Sequence, residues 1–173
     1  PTIGLIKFNK KLIDFNEIPD EFNIVIESNR SQGSLVIHSC FGTKINSTLS
    51  TLLSSMLSSI LGSIVDTRSD GYRIVLSSRS RISEKLFFEV LKDDYDLHSM
   101  VTASLTGTHN VNWRTWCVAK KFGIVGRGAI YERKSARFLY ERYSKTALVH
   151  EALRELFHDK YDLKNTEKFL KQI

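Results

Sequence analysis

The sequence contains few residues of the kinds that mark linkers, disulfide scaffolds or membrane spans. Among 173 residues there are two prolines and two cysteines, Cys40 and Cys117. No proline-rich linker is present, and two distant cysteines without an apolar leader favour buried thiols in a reducing compartment. The most apolar segment, residues 45–64, is interrupted by serines and falls short of the roughly 18 unbroken apolar residues that a span needs. These features predict a soluble, cytoplasmic protein.

Catalytic motifs are also missing. A phosphate-binding P-loop needs a glycine upstream of a Gly-Lys-Ser/Thr run, but here the order is Gly42-Thr43-Lys44 and the upstream position is Ile37. His38 and Cys40 alternate on one predicted strand without a second pair at zinc-ligand spacing, and no Gly-x-Ser-x-Gly elbow occurs. We therefore expect no cofactor, no metal and no catalytic residues in this chain.

The composition is that of an ordinary globular domain with an uneven charge. Hydrophobic residues make up 42% and charged residues 25% of the chain, and the formal net charge is +6. Between Arg114 and Lys145 there are nine basic and two acidic residues, which gives +7 and leaves −1 for the rest. A positive field concentrated in one segment favours a polyanionic partner. The chain begins at Pro1 rather than methionine, which indicates a fragment of a longer polypeptide.

Hydrophobic periodicity predicts strands first and helices later. Residues 4–8 form a strand candidate, and alternation over 23–40 and 63–78 predicts two hairpins, the second with a primed turn at Asp70-Gly71 that needs positive φ angles. From Ile45 to Leu61 apolar residues, Ile60 among them, recur at helical spacing and predict a core-facing stripe. Further helices are predicted over 84–92, 97–105, 113–122, 135–143, 147–158 and 163–173, with Ser83, Asp96, Asn112 and Asp162 as caps of the first, second, third and last.

These elements predict an α+β fold. An antiparallel, hairpin-built sheet is packed by a long helix and is followed by a helical C-terminal half. We expect a single domain over residues 1–173, with the sheet and helices in 1–107 and a basic helical half in 108–173.

The segment NWRTWCVAKKFG combines cations with aromatic side chains. On a helix Arg114 and Lys121 share one stripe while Trp113 and Lys120 share its neighbour, an arrangement that suits phosphates and stacked bases. We interpret Trp116 as a core anchor. The predicted nucleic-acid-binding residues are Trp113, Arg114, Lys120, Lys121, Arg127, Arg133, Arg137 and Lys44. For Lys44 two interpretations stay open: it faces an anion at a helix N-terminus, or it is a solvated first-turn residue.

Three blocks of the sequence resemble the DEAD/H-associated domain of Lhr-type (large helicase-related) superfamily 2 helicases. VIHSCFGTKINSTLSTLL is similar to the family's strand, Phe-Gly-x-basic corner and long helix, and NWRTWCVAKKFGIV to its aromatic-Arg helix. VHEALRELFHDKYDLKNTEKFL resembles its terminal Glu-x-x-Arg-Glu segment. The matched positions are Phe41, Gly42, Lys44, Trp113, Arg114, Ala119, Glu151, Arg154, Glu155, Asp159 and Asp162.

The resemblance implies an accessory domain that follows two RecA-like motor lobes and a winged helix, all absent from this chain. Its implied role is to guide single-stranded DNA or RNA and brace the motor of an ATP-dependent helicase, whose motor would use ATP and Mg²⁺. Two alternatives stay open. One is a structural domain whose basic face packs on the parent helicase, and the other is an independent RNA-binding protein.

The missing phosphate loop generates a first prediction. The purified chain should neither bind nor hydrolyse ATP, because it contains no phosphate loop and no Mg²⁺-holding acidic pair after a hydrophobic strand. Malachite-green phosphate release and binding of a fluorescent ATP analogue measure this. ATPase activity stimulated by nucleic acid in a preparation free of other helicases would contradict the prediction.

Overall fold

The computed structural model describes residues 5–7, 24–29, 33–92 and 96–171. The chain forms two compact units, of which the first comprises Pro1–Met100 and Asp162–Ile173 and the second Val101–Tyr161. The C-terminal helix thus belongs to the same unit as the strands. The division into 1–107 and 108–173 within one domain stays a prediction.

The first unit contains a five-stranded sheet in the order β1-β2-β3-β5-β4. Its strands are β1 (Leu5–Lys7), β2 (Ile24–Asn29), β3 (Ser34–His38), β4 (Val65–Ser69) and β5 (Arg73–Ser78). The pairs β2/β3, β3/β5 and β5/β4 are antiparallel, which confirms both hairpins and the predicted sheet. β1 lies where a strand is predicted, but it pairs in parallel with β2, an arrangement that hairpin patterns do not predict.

The long helix α1 (Thr43–Leu61) buries one face in the core of the first unit. It contacts β4, β5 and two further helices, α2 (Glu84–Lys92) and α7 (Leu163–Leu170). Most of the predicted stripe is buried, and Ile45 and Leu61 are partly buried against the same core. Ile60 is 56% exposed, so its assignment to the core is wrong. Ile60 lies in the last turn before Gly62, whose left-handed conformation ends the helix.

The turn between β4 and β5 lies where Asp70-Gly71 predicts it, but the backbone conformation of the turn differs from the predicted one. Gly71 does not have the positive φ that a primed turn requires, so that part of the prediction is wrong. Instead, the Asp70 carboxylate accepts hydrogen bonds from the backbone N–H groups of Tyr72, at 2.8 Å, and Arg73, at 3.0 Å. The aspartate side chain therefore forms the turn, as in an Asx-turn.

A buried polar network joins this turn to the start of α1. Asn46 is fully buried, and its amide donates to the Asp70 carbonyl at 2.8 Å and to the Ser39 carbonyl at 3.4 Å. Its Oδ1 accepts from the Ser39 hydroxyl at 2.8 Å. Gly42, at φ 86°, precedes the helix and donates its N–H to the Gly71 carbonyl at 3.2 Å. The Phe-Gly-x-Lys corner is thus a structural junction between strand, helix and hairpin turn.

The remaining helices follow the prediction with one exception. Their bounds are α3 (Leu97–Leu105), α4 (His109–Lys121), α5 (Arg133–Arg142) and α6 (Ala147–Lys160), beside α2 and α7. The side chains of Ser83, Asp96 and Asp162 accept N–H bonds at the predicted helix starts. The cap at Asn112 is wrong, since α4 begins at His109 and Asn112 is buried inside it. Residues 93–95, directly after the predicted helix 84–92, lie outside the described residues. α7 ends at Leu170, and residues 172–173 of its predicted range also lie outside them.

Neither Cys40 nor Cys117 forms a disulfide within the described residues, but the two differ in burial. Cys117 is partly buried and Cys40 is exposed, so the prediction of buried thiols is wrong for Cys40. His38 lies 3.3 Å from the Glu27 carboxylate, and no cluster of three metal-ligating side chains occurs within the described ranges. Within those ranges, none of the helices combines the length and the apolar character that crossing a membrane requires.

The buried network generates a second prediction. Asn46→Ala should lower the free energy of unfolding by about 1 to 3 kcal/mol, because it leaves buried hydrogen-bonding groups without partners. Urea denaturation followed by circular dichroism measures the change. Ser59→Ala is the matched control in the same helix, since Ser59 is exposed and its hydroxyl donates to the Ser55 carbonyl of that helix. Equal effects of the two substitutions would show that the network is unimportant.

Candidate nucleic-acid interface

The second unit contains most of the predicted binding residues, which lie on α4, on α5 and, for Arg127, in the segment between these helices. α4 packs against both α5 and α6. The core that these three helices form includes Trp116, Val118, Ala119, Leu139 and Ala152. Within Val101–Tyr161 there are eleven basic and five acidic residues, so this unit accounts for the whole net charge of +6. The predicted concentration of positive charge therefore lies in one compact unit.

Aromatic side chains gather around Tyr131. The Tyr131 ring makes edge contacts with Trp113 at 4.8 Å, Trp116 at 5.8 Å and His109 at 5.9 Å between ring centroids. Trp116 is 6% exposed, which confirms it as a core anchor, whereas Trp113 is 45% exposed. Edge-to-face packing holds the Trp113 indole while leaving part of it accessible to a stacking base. Tyr131 is not among the residues predicted from the sequence, although its position between two cationic stretches was a usable signal.

The stripe of Arg114 and Lys121 faces carboxylates on α6. Arg114 donates to Glu155 at 3.1 Å and to Asp159 at 2.6 Å, and Lys121 donates to Glu155 at 2.7 Å. The side chains of Arg114 and Glu155 are only 23% and 19% exposed. This group of four residues is the α4–α6 ion-pair cluster. Arg114, Glu155 and Asp159 all belong to the motif positions quoted above, so the matched residues of two sequence blocks are partners of one another.

The cluster changes the ionisation of its carboxylates. A hydrogen bond from Lys121, and a weaker contribution from Arg114, lower the pKa of Glu155 below its ordinary value. Partial burial of the carboxylate opposes this effect by raising the pKa, but it does not outweigh it. The pKa of Asp159 is lowered by His158 and then by Arg114. Both carboxylates are therefore ionised at neutral pH and keep Arg114 engaged.

The other predicted cations fall into two classes. Arg137 pairs with Glu141 at 2.8 Å on α5, and Lys120 donates to the Arg127 carbonyl at 3.2 Å. Within the described part of the chain the exposed side chains of Arg127 and Arg133 make no ion pair. These two arginines and the exposed face of Trp113 are the predicted residues best able to receive a phosphate and a base.

Lys44 lies in the first unit, whereas the other predicted binding residues lie in the second. It is exposed in the first turn of α1. The backbone N–H of Asn165 is the main cause of the lowered pKa of Asp162, and the positive charge of Lys44 contributes to it. Lys44 thus has a carboxylate near it, and its role toward an anion stays a prediction.

The ion-pair cluster generates a third prediction. Arg114→Gln should lower the free energy of unfolding by about 1 to 3 kcal/mol, because it leaves the largely buried Glu155 carboxylate with less compensation. Arg154→Gln is the control on α6, since Arg154 is 76% exposed and its surface pair with Glu151 should contribute little to stability. Thermal and urea unfolding of both variants measure the effects.

The effect of Arg114→Gln should also depend on pH. Because the pKa of Glu155 is lowered in the folded state, its contribution is present above the ordinary carboxyl pKa and is lost as pH falls through the folded value. The difference in stability between the parent and Arg114→Gln should therefore shrink in acid. A difference that stays constant from neutral pH to below the ordinary carboxyl range would contradict the ion-pair explanation.

Comparisons with known proteins agree with this architecture. A sequence model of the family described as DEAD/H associated matches residues 18–173. The solved structure of Mycobacterium smegmatis helicase Lhr bound to ssDNA and AMP-PNP superimposes with a TM-score of 0.70 at 20% identity, over 90% of this chain and 21% of that chain. At that identity the likeness establishes a shared fold, and this chain spans about a fifth of the helicase. No protein of curated function matches the sequence. Because the family match covers nearly the whole chain, the protein belongs to the DEAD/H associated family.

Proposed function

We propose that this chain is the accessory nucleic-acid-binding domain of an ATP-dependent, Lhr-type helicase, in which it guides a single strand and braces the motor. The proposal rests on one observation: the second unit combines a net charge of +6 with the partly exposed indole of Trp113. Phosphates pair with cations and bases stack on aromatic faces, so this combination suits single-stranded nucleic acid. Family membership, and a similarly folded helicase bound to ssDNA, support the same role.

Within this proposal the cations have different tasks. Arg114 and Lys121 fasten α4 to α6 through Glu155, so they brace the binding surface. Arg127 and Arg133 are exposed and unpaired within the described ranges, so they contact phosphates. Arg137 is 70% exposed and its pair with Glu141 is an i,i+4 surface pair, which a phosphate can replace at small cost.

The motor chemistry belongs to other parts of the proposed helicase. ATP and Mg²⁺ would be used by its two RecA-like lobes, and this chain would contribute no catalytic residue. Its partners in that protein are the motor lobes and the winged helix. Hydrolysis would move the strand, while the second unit would keep hold of its backbone through contacts that do not depend on base sequence.

A purely structural domain is the second candidate. The observation that favours it is that Arg114, Lys121 and Arg137, which are among the predicted strand contacts, already have carboxylate partners within the chain. Under this alternative the basic surface packs on acidic surfaces of the parent helicase. Binding of the isolated chain to single strands distinguishes the two.

The proposal generates a fourth prediction. The chain should bind a fluorescein-labelled oligo-dT or oligo-U weakly, with an affinity that falls steeply as salt rises. The double variant Arg127→Gln/Arg133→Gln should bind less tightly and flatten the slope of log K against log salt by up to about 1.4, at about 0.7 for each lost contact on a single strand. Fluorescence anisotropy over a salt series measures both quantities.

Two control variants make the comparison specific. Arg79→Gln/Arg81→Gln removes the same charge from two exposed arginines of the first unit and should leave the slope nearly unchanged. Lys44→Gln should also have a small effect, because one exposed charge and a partial helix dipole contribute only about 0.3 to 1 kcal/mol. No binding at low salt, or equal losses in both double variants, would favour the structural alternative. If Lys44→Gln abolished binding, the corner before α1 would be the phosphate site.

A further inference from the structure

A shallow apolar groove lies on the second unit beside α5. Its volume is about 400 Å³, and it is lined by Trp116, Val125, Lys134, Ser135, Phe138 and Leu139. Phe138, one of these lining residues, is 63% exposed. A large exposed aromatic side chain next to an apolar depression is a typical feature of a surface that receives another molecule.

Two cations flank this aromatic side chain along the helix. Lys134, Phe138 and Arg142 are spaced four residues apart on α5, so they follow one stripe of its surface. Within the described part of the chain neither Lys134 nor Arg142 makes an ion pair. The neighbouring stripe differs, because Arg137 pairs there with Glu141. The groove is therefore a mainly apolar site with one cation, Lys134, in its lining and a second, Arg142, one turn beyond Phe138 on the same stripe.

The lining favours an apolar side chain over a nucleobase. Lys134 and Ser135 are the polar side chains among the residues that line the groove, and the Ser135 hydroxyl already donates to the Glu132 carboxylate at 2.6 Å. The groove thus offers few hydrogen-bonding partners by which to select the edge of a base, whereas a leucine or phenylalanine side chain needs none. Lys134 and Arg142 would then pair with carboxylates that flank the apolar side chain.

We propose that the groove beside α5 docks an acidic segment of a protein, with one apolar side chain seated against Phe138 and acidic residues on Lys134 and Arg142. This surface is additional to the strand contacts of Trp113, Arg127 and Arg133. It gives the second unit a separate means of attachment to a protein with complementary charge.

Binding of designed peptides to the whole chain tests the proposal. The probes are short fluorescein-labelled peptides with a single leucine or phenylalanine between glutamates, measured by anisotropy. At least one should bind, and replacing its apolar residue with serine, or its glutamates with glutamines, should weaken binding about fivefold or more, the loss expected for an anchor residue. Failure of both probes to bind, or equal affinity of the serine and leucine peptides, overturns the proposal.

Variants of the chain locate the site. Phe138→Ser and Lys134→Gln/Arg142→Gln should each weaken peptide binding about fivefold or more. Ile130→Ser is the matched control, since Ile130 is 89% exposed in the same unit and does not line the groove, and it should leave peptide binding unchanged. Equal losses in Phe138→Ser and Ile130→Ser would place the peptide elsewhere and overturn the assignment.

Competition with oligo-dT separates this inference from the proposed function. Peptide binding that persists when the chain does not bind oligo-dT upholds the groove and refutes the strand-guiding role. If Phe138→Ser weakens oligo-dT binding as much as peptide binding, and the two probes compete, the groove belongs to the strand-binding surface and the peptide proposal is wrong.

Discussion

The pairing of Arg114 with Glu155 and Asp159 decides which charges of the second unit remain available to a partner. Arg114 is on α4 and both carboxylates are on α6, so the pair fastens two helices together. Because the side chains of Arg114 and Glu155 are only 23% and 19% exposed, loss of either one is costly, since the charge left behind would be poorly solvated. Lys121 forms a second ion pair with the same glutamate, Glu155. The basic surface is therefore organised around cations that serve the fold.

A comparable constraint acts at the junction of the first unit. Asn46 satisfies its own polar atoms and those of Ser39 and Asp70, which lie on a strand end and a hairpin turn. A buried amide with several partners tolerates few alternative arrangements, so it sets where α1 starts relative to the hairpin. The Phe-Gly-x-Lys corner, which has the local look of a phosphate loop, is explained by this junction and by the φ of 86° at Gly42.

The strand contacts and the α5 groove would give the second unit two kinds of surface with different physics. Exposed arginines contact a flexible polyanion with little geometric demand, and their effect weakens as salt rises. An apolar groove requires a matching shape, and the apolar part of its binding is much less sensitive to salt than the ion pairs beside it. A domain with both could hold a nucleic-acid strand and a protein segment at once, which suits an accessory role within a larger helicase.

Sequence alone determined the class of fold and most of its elements. Period-two alternation predicted the hairpins, helical spacing predicted α1, and Ser83, Asp96 and Asp162 predicted helix starts, because each of these signals acts over a few residues. Charge counting likewise located the basic segment, since formal charge is a property of composition.

Only the tertiary structure decided how the cations are used. Arg114 and Glu155 are 41 residues apart in the chain, so no local pattern showed that they would meet. The same holds for the parallel pairing of β1, for the exposure of Ile60 and for the position of Tyr131 against two tryptophans. Each depends on how separate elements pack, and packing is a non-local property that a pattern within one segment does not contain.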